Sequence, residues 1–215
     1  MLQPPVIYDN GLQRRMSPGD LLAGFEPVPP ATDTTNTTLA VTAAMFLNSS
    51  VYVRNPAGVS TDTYPTADAL ITALIAGQFA PTKGMTFRWR VINLSANLIT
   101  GAVTANTGVT MVRGNILAST SKDFLISLTN VSPLRSVSNI VSVNGSAVLS
   151  GFSQADCAAL DVGMIVTTAI AGLQGQTIIG INQAAGTVTM SGNANANATN
   201  SYTFSPTYTI TGLSA

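Results

Sequence analysis

The sequence predicts an all-β protein. The expectation is a jelly-roll-like sandwich with one or two short helices, an extended N-terminal arm, and a second small β domain inserted near the C-terminus. Three observations carry it. The chain is rich in threonine, alanine, valine, asparagine, serine and glycine, the residues of short strands and tight turns. Apolar and polar residues alternate in several short runs, as half-buried strands require. Gly, Asn and Ser separate those runs at the spacing of sandwiches and barrels.

Residues 1–35 read as an arm. Prolines stand at positions 4, 5, 18, 27, 29 and 30, and such density removes ladder donors and disfavours both helix and central strand. Fully extended, residues 1–30 would reach on the order of 100 Å at roughly 3.3 Å per residue. The apolar residues Val6, Ile7, Tyr8, Leu12, Leu21, Leu22 and Phe25 would be stranded in water on a free arm, so the arm is expected to dock by strand addition or groove filling. Arg14 and Arg15 are its candidates for an intermolecular salt bridge, each charge-assisted bond contributing ~1.5–3 kcal/mol if desolvated.

Residues 36–135 plus 206–215 read as the sandwich domain. Thr42 caps a short helix through Ala43–Leu47, stopped by Asn48, and a strand Val51–Arg54 ends at Asn55-Pro56. Thr66 caps a second helix, with Asp68 in its first turn, Ala67, Leu70, Ile71, Leu74 and Ile75 on one face, and Gly77 at its end. The run Met85–Leu94 sets Phe87, Trp89 and Val91 on one side and Arg88, Arg90 and Ile92 on the other. Further strands are expected near 98–104, 108–113, 115–118 and 122–130.

Residues 136–205 read as the inserted domain, with strands at 139–143, 146–150, 164–168, 176–182, 186–191 and 201–204. Asn144-Gly145 is a hairpin signal, and the alternating Asn and Ala of Gly192–Ser201 read as a loop or weak edge. Pro133 and Pro206 flank this piece. Joining the flanks would make a hairpin whose second strand is 207–213, and insertions are tolerated at such loop tips.

Composition restricts function. Only 8% of residues are charged, against ~25% in an average soluble protein, and the chain has no histidine, one glutamate (Glu26) and one cysteine (Cys157). Proton-transfer and metal chemistry depend on groups of that kind, so catalysis, cofactors and metal binding are not expected. Net charge is zero, which offers no field for nucleic acid or an anionic membrane. A charge-poor surface favours a subunit that is covered by assembly. No basic-then-apolar leader opens the chain, and no apolar run reaches the ~20 residues needed to span a bilayer. Cytoplasmic synthesis is expected.

Isolated features have ordinary readings. Cys157 reads as a small buried apolar residue. Asp156 and Asp161 lack an Asp-x-Asp-x-Asp-Gly calcium run, and Asp161 reads as a turn residue before Val162-Gly163. Asp62 likewise reads as a turn residue. Arg88, Arg90 and Arg113 are placed on one sheet face, either solvated or paired with Asp123 or a partner's carboxylate.

Several blocks in order resemble capsid decoration proteins of tailed phages, of the head-cement or head-fibre kind. They are Thr38–Ala44, Asn55-Pro56-Ala57-Gly58 with Thr61-Asp62-Thr63, Pro65–Leu70, Phe87–Ser95, Thr107–Thr110 and Phe124–Val131. The inserted piece, with Asp161–Val166, Gly175–Ile179 and Gly186–Ser191, is similar to a small β module of phage structural proteins. The resemblance implies a homotrimer on the capsid exterior that cements adjacent major capsid subunits, with the module facing solvent. The alternative is a receptor- or glycan-binding fibre or tail module. Its stacking surface would come from Phe152, Tyr202 and Phe204, of which two occupy strand positions that suggest core.

Overall fold

The computed structural model describes residues 6–9, 12–15, 31–33, 38–48 and 51–213. Strands dominate, in two six-stranded sheets and two two-stranded ones. The protein is all-β with a second β unit inserted late in the chain.

Within the segment expected to be extended, β1 (Val6–Asp9) and β2 (Leu12–Arg15) form an antiparallel hairpin, with Val6 opposite Arg15 and Asp9 opposite Leu12. The sequence between the strands is Asn10-Gly11, the pair that two-residue hairpin loops favour. The proline density obscured this signal. A folded-back hairpin also shortens the ~100 Å reach of a fully extended arm. Among the described residues, both strands pair only with each other. Leu21, Leu22 and Phe25 lie outside the described residues.

The first large sheet contains β3 (Ala31–Asp33), β4 (Val51–Arg54), β6 (Thr86–Asn93), β9 (Ser121–Asn130), β16 (Thr207–Gly212) and β8 (Val109–Val112), in that order. A ribbon of β5 (Ser60–Thr63) and β7 (Ile99–Ala102) pairs separately. The pairs β3/β4, β4/β6, β16/β8 and β5/β7 are parallel, which is not part of a jelly roll's antiparallel scheme. Residues 31–33 belong to this sheet although the sequence put them in the arm. Near 115–118 there is an isolated bridge, Ile116 with Ile99, and no strand.

Helix α1 (Ala43–Asn48) starts where the Thr42 hydroxyl accepts from Met45 N, and α2 (Ala67–Ala76) where that of Thr66 accepts from Ala69 N at 3.2 Å. Ala67, Leu70, Ile71 and Leu74 are buried, whereas Ile75, expected on the same face, is exposed. The apolar stripe is one residue narrower than the sequence suggested. On β6 the alternation holds: Phe87, Trp89 and Val91 are buried. Trp89 anchors an aromatic cluster with Phe46 at 4.8 Å, Tyr64 at 6.0 Å and Phe124 at 6.1 Å between ring centroids. Such pairs add ~0.5–1.5 kcal/mol each beyond area burial.

The second large sheet contains β12 (Ile165–Val166), β15 (Ala198–Ser205), β10 (Arg135–Ser142), β11 (Val148–Ser150), β14 (Thr187–Met190) and β13 (Ile178–Asn182), in that order. Its core holds Ile140, Leu149, Cys157, Met164, Val188, Tyr202 and Phe204 and is disjoint from that of the first sheet. Two expectations are corrected here. The Asn/Ala-rich segment is not all loop, since β15 begins at Ala198 and runs between β12 and β10 inside the sheet. A third helix, α3 (Gln154–Ala159), was not expected, although Ser153 and Asp156 form its capping box.

The two units join where Thr207 pairs with Asn130. Asn130 is buried; its Nδ2 donates to Asp161 Oδ2 and to the Val162 carbonyl, both at 3.2 Å. Thr207 Oγ1 donates to the Gly163 carbonyl at 3.2 Å. Gly108, at φ +80°, lets the chain pass Pro206: a Cβ there would collide with the Pro206 carbonyl.

Candidate interaction surface

β6 runs away from the joint between the units. Thr86 lies opposite Ser127, and at the far end Asn93 N bonds to the Thr120 carbonyl. Three loops are tied together at that far end. Asn93 Nδ2 donates to the carbonyls of Asn97 at 2.8 Å and Leu117 at 2.9 Å, Asn97 Nδ2 reaches the Pro56 carbonyl, and Leu94 N bonds to the Arg54 carbonyl. From this bonded surface Val59, Leu94 and Leu117 stay 64%, 59% and 65% exposed.

Beneath it lies a buried charge cluster. The Arg54 side chain is fully buried; Nε donates to Asp62 Oδ2 at 2.9 Å, and Nη2 to Asp62 Oδ1 at 2.8 Å and Ser60 Oγ at 2.9 Å. Ser60 Oγ in turn donates to Asp62 Oδ1 at 2.6 Å. Nη1 lies 3.3 Å from Asp33 Oδ1, an ion-pair contact without hydrogen-bond geometry. Asp62 is therefore not the turn residue expected: it points inward from β5, at 3% exposure, to meet a buried guanidinium. Burial first, then Asp33, raises the Tyr52 hydroxyl; burial first, then Asp62, raises that of Tyr64. Burial lowers the Arg54 pKa, but its bonds to Asp62 outweigh that and hold it raised.

The outer face of the first sheet carries Arg88 opposite Leu125 and Arg90 opposite Asp123. Of the two readings of this face, pairing holds for Arg90, whose Nε and Nη2 grip Asp123 at 2.6 and 2.8 Å. Those bonds hold the Asp123 carboxyl below its ordinary value. Arg113 does not join the row. It sits past the end of β8 with φ 58°.

In the second unit Asp156 caps α3 and meets Arg135 at 3.1 Å, and the Ser153 hydroxyl, then Arg135, lowers its pKa. Asp161 occupies a turn closed by Met164 N on its carbonyl, as the sequence suggested. Cys157 is buried, and its thiol is raised by burial and then by the Asp156 charge. Phe152, Tyr202 and Phe204 are all in the core.

Among the described residues, no group of three or more His, Cys, Asp or Glu side chains could hold a metal ion, and no helix is long and apolar enough to cross a membrane. The arm candidates Val6, Ile7, Tyr8, Leu12, Arg14 and Arg15 lie on β1 and β2. The loop-end cluster was missed by sequence reasoning. Only the inward period of Ser60 and Asp62 hinted at it, and both are polar. No protein family, characterised protein or solved structure matches the chain.

Proposed function

We propose that the protein is a structural subunit that binds the outer surface of a tailed-phage capsid as a homotrimer and cements adjacent major capsid subunits, without chemistry of its own. The observation that carries this reading is the β1/β2 hairpin, whose strands, among the described residues, pair with neither large sheet of their own chain. A lone two-stranded hairpin is at best marginally stable in water, so this one gains its order from something it docks on. A subunit that binds only the assembled shell stabilises it by linkage, and several tethered contacts multiply weak affinities. The charge-poor composition supports the same reading, because the surface is suited to being covered.

The fibre-module alternative loses its support, since the aromatic side chains it would stack on a sugar are packed inside. The test is particle imaging with full-length protein and with residues 1–25 deleted. Density on the head exterior, lost on deletion while the truncated protein stays folded, is the expected result. Undiminished occupancy by the truncated protein, or density on the tail, overturns it.

A further inference from the structure

We infer that the outer edge of β8 binds the β8 edge of a second copy of this chain, antiparallel and about a two-fold axis at Thr110, so that two first sheets become one. An unpaired edge strand presents a row of backbone donors and acceptors, and proteins ordinarily close or blunt it. This chain closes the other edges that follow residue 50. β12 and β13 end the second large sheet, yet Ile178 N bonds to the Met164 carbonyl at 2.8 Å and Val166 N to the Gln176 carbonyl at 2.9 Å, which seals that sheet into a barrel. The β5/β7 ribbon is flanked by the bridges of Ala40 with Thr63 and of Ile116 with Ile99. Among the described residues, β8 pairs on one side only, with β16, and its Val-Thr-Met-Val run carries no charge, proline or bulge to blunt it.

The edge matches itself in register and in charge. Tyr208 N bonds to the Gly108 carbonyl at 2.8 Å, which sets the phase of the parallel ladder. The backbone groups of Thr110 and Val112 therefore turn to β16, and the N–H and C=O of Val109 and Met111 point outward. With Thr110 facing its counterpart, Val109 lies opposite Met111 of the other copy on both sides of the axis, and each such pair exchanges two bonds. The strand ends suit that register, because Gly108 at φ +80° and Arg113 at φ 58° turn the chain just beyond it. Arg113 then lies across from Thr107 of the other copy. The Thr107 carbonyl accepts from Ala67 N at 3.0 Å, and Thr107 and Asp68 line one cleft, so a carboxylate stands at this end of the edge. Neither Asp68 nor Arg113 has an ion-pair partner among the described residues. The antiparallel arrangement brings the acidic end of each copy to the basic end of the other, which fixes orientation more than affinity. The contact is small, and it becomes effective where several copies are held on one surface.

The inference concerns copies of this chain alone and does not rest on the capsid reading, so it is tested on purified full-length protein with no particles present. In a Cys157→Ala background, Thr110→Cys sets two thiols at a non-hydrogen-bonded antiparallel pair, about 4.5 Å between Cα atoms, a spacing that a disulfide accepts. Val112→Cys, also at an exposed position of β8, holds the thiols four positions apart along the strand, about 14 Å. Under mild oxidation Thr110→Cys should give a disulfide-linked dimer, and Val112→Cys at least about tenfold less of one. Equal yields from the two variants overturn the inference, and so does no dimer from either, which would leave the edge to a strand of a different partner. Adding Arg113→Asp to Thr110→Cys should slow the cross-link at low salt by at least about tenfold, and adding Asp68→Lys as well should restore it, with the melting temperature confirming that each variant is folded. A rate indifferent to Arg113→Asp, or one that the second change fails to restore, also overturns it. Loss of capsid occupancy with the cross-link intact would count against the shell reading only.

Discussion

Arg54 and Asp62, eight residues apart in sequence, meet through two hydrogen bonds of 2.9 and 2.8 Å around a guanidinium with no solvent exposure. The pair joins β4 to the β5/β7 ribbon, and its third member, Asp33, fastens the end of β3 to the same strand. A buried pair is weak evidence of net stabilisation, but its two halves are not independent, because removing one leaves an uncompensated buried charge. Arg54→Met should therefore cost about 3–5 kcal/mol in urea denaturation. Arg54→Met combined with Asp62→Leu should recover much of that loss. If the single variant is as stable as the parent, the cluster is not electrostatically closed.

Tyr208, on β16, donates from its hydroxyl to the Pro65 carbonyl at 2.6 Å, beside the cap of α2. The ring is buried, and burial raises its hydroxyl pKa. Tyr208→Phe removes the donor without opening a cavity and leaves the carbonyl short of a partner. A loss of about 1–2 kcal/mol is expected in chemical denaturation. A loss under a few tenths would mean that water replaces the bond at no cost.

What the sequence made legible follows local physics. The β6 alternation and the Thr66 cap of α2 are short-range signals, and both appear where expected. Where the reading failed, the deciding partner lay elsewhere in the chain or the signal was masked. Asp62 sits in a polar Ser-Thr-Asp-Thr run, so nothing local says that it faces inward toward Arg54. Ala198–Ser205 is strand because β10 and β12 flank it, a tertiary effect that its asparagine-rich start conceals. The helix at Gln154–Ala159 is short and nearly without an apolar stripe, and only Ser153 with Asp156 announced it. The loop-end surface depends on side-chain bonds between segments up to 41 residues apart, beyond any local pattern.

The pH profile follows from the carboxylates. Asp123 is held below its ordinary value by Arg90, and Asp156 by Ser153 and Arg135. A carboxyl depressed in the folded state contributes stability that is present above its unfolded pKa of about 3.9 and lost as pH falls through the folded value. No histidine exists to titrate near neutrality, and the Cys157 thiol is raised away from it. The melting temperature should therefore be flat from about pH 8 to pH 5 and fall below about pH 4. The fall should be modest and salt-sensitive, because both arginines are partly solvated. A transition between pH 5 and 8, or none at low pH, would contradict this assignment.

The two units have disjoint cores and are connected through neighbouring positions on adjacent strands, Asn130 and Thr207. Replacing residues 131–206 by Asn-Gly would close β9 onto β16 with the two-residue loop that favours antiparallel hairpins. The inserted unit's loss removes the partners of Asn130 and the Gly163 carbonyl that accepts from Thr207, groups that solvent can replace once the joint is open. The shortened protein should therefore fold, with Trp89 still shielded and its near-ultraviolet signal retained, and unfold in one cooperative transition. Residues 134–205 alone should fold as well, since β10 to β15 close their own sheet around Tyr202 and Phe204. If the shortened chain exposes Trp89 to quenchers, the first sheet depends on the inserted unit for its packing. In that case the joint at Asn130 is a structural dependence rather than a point of insertion.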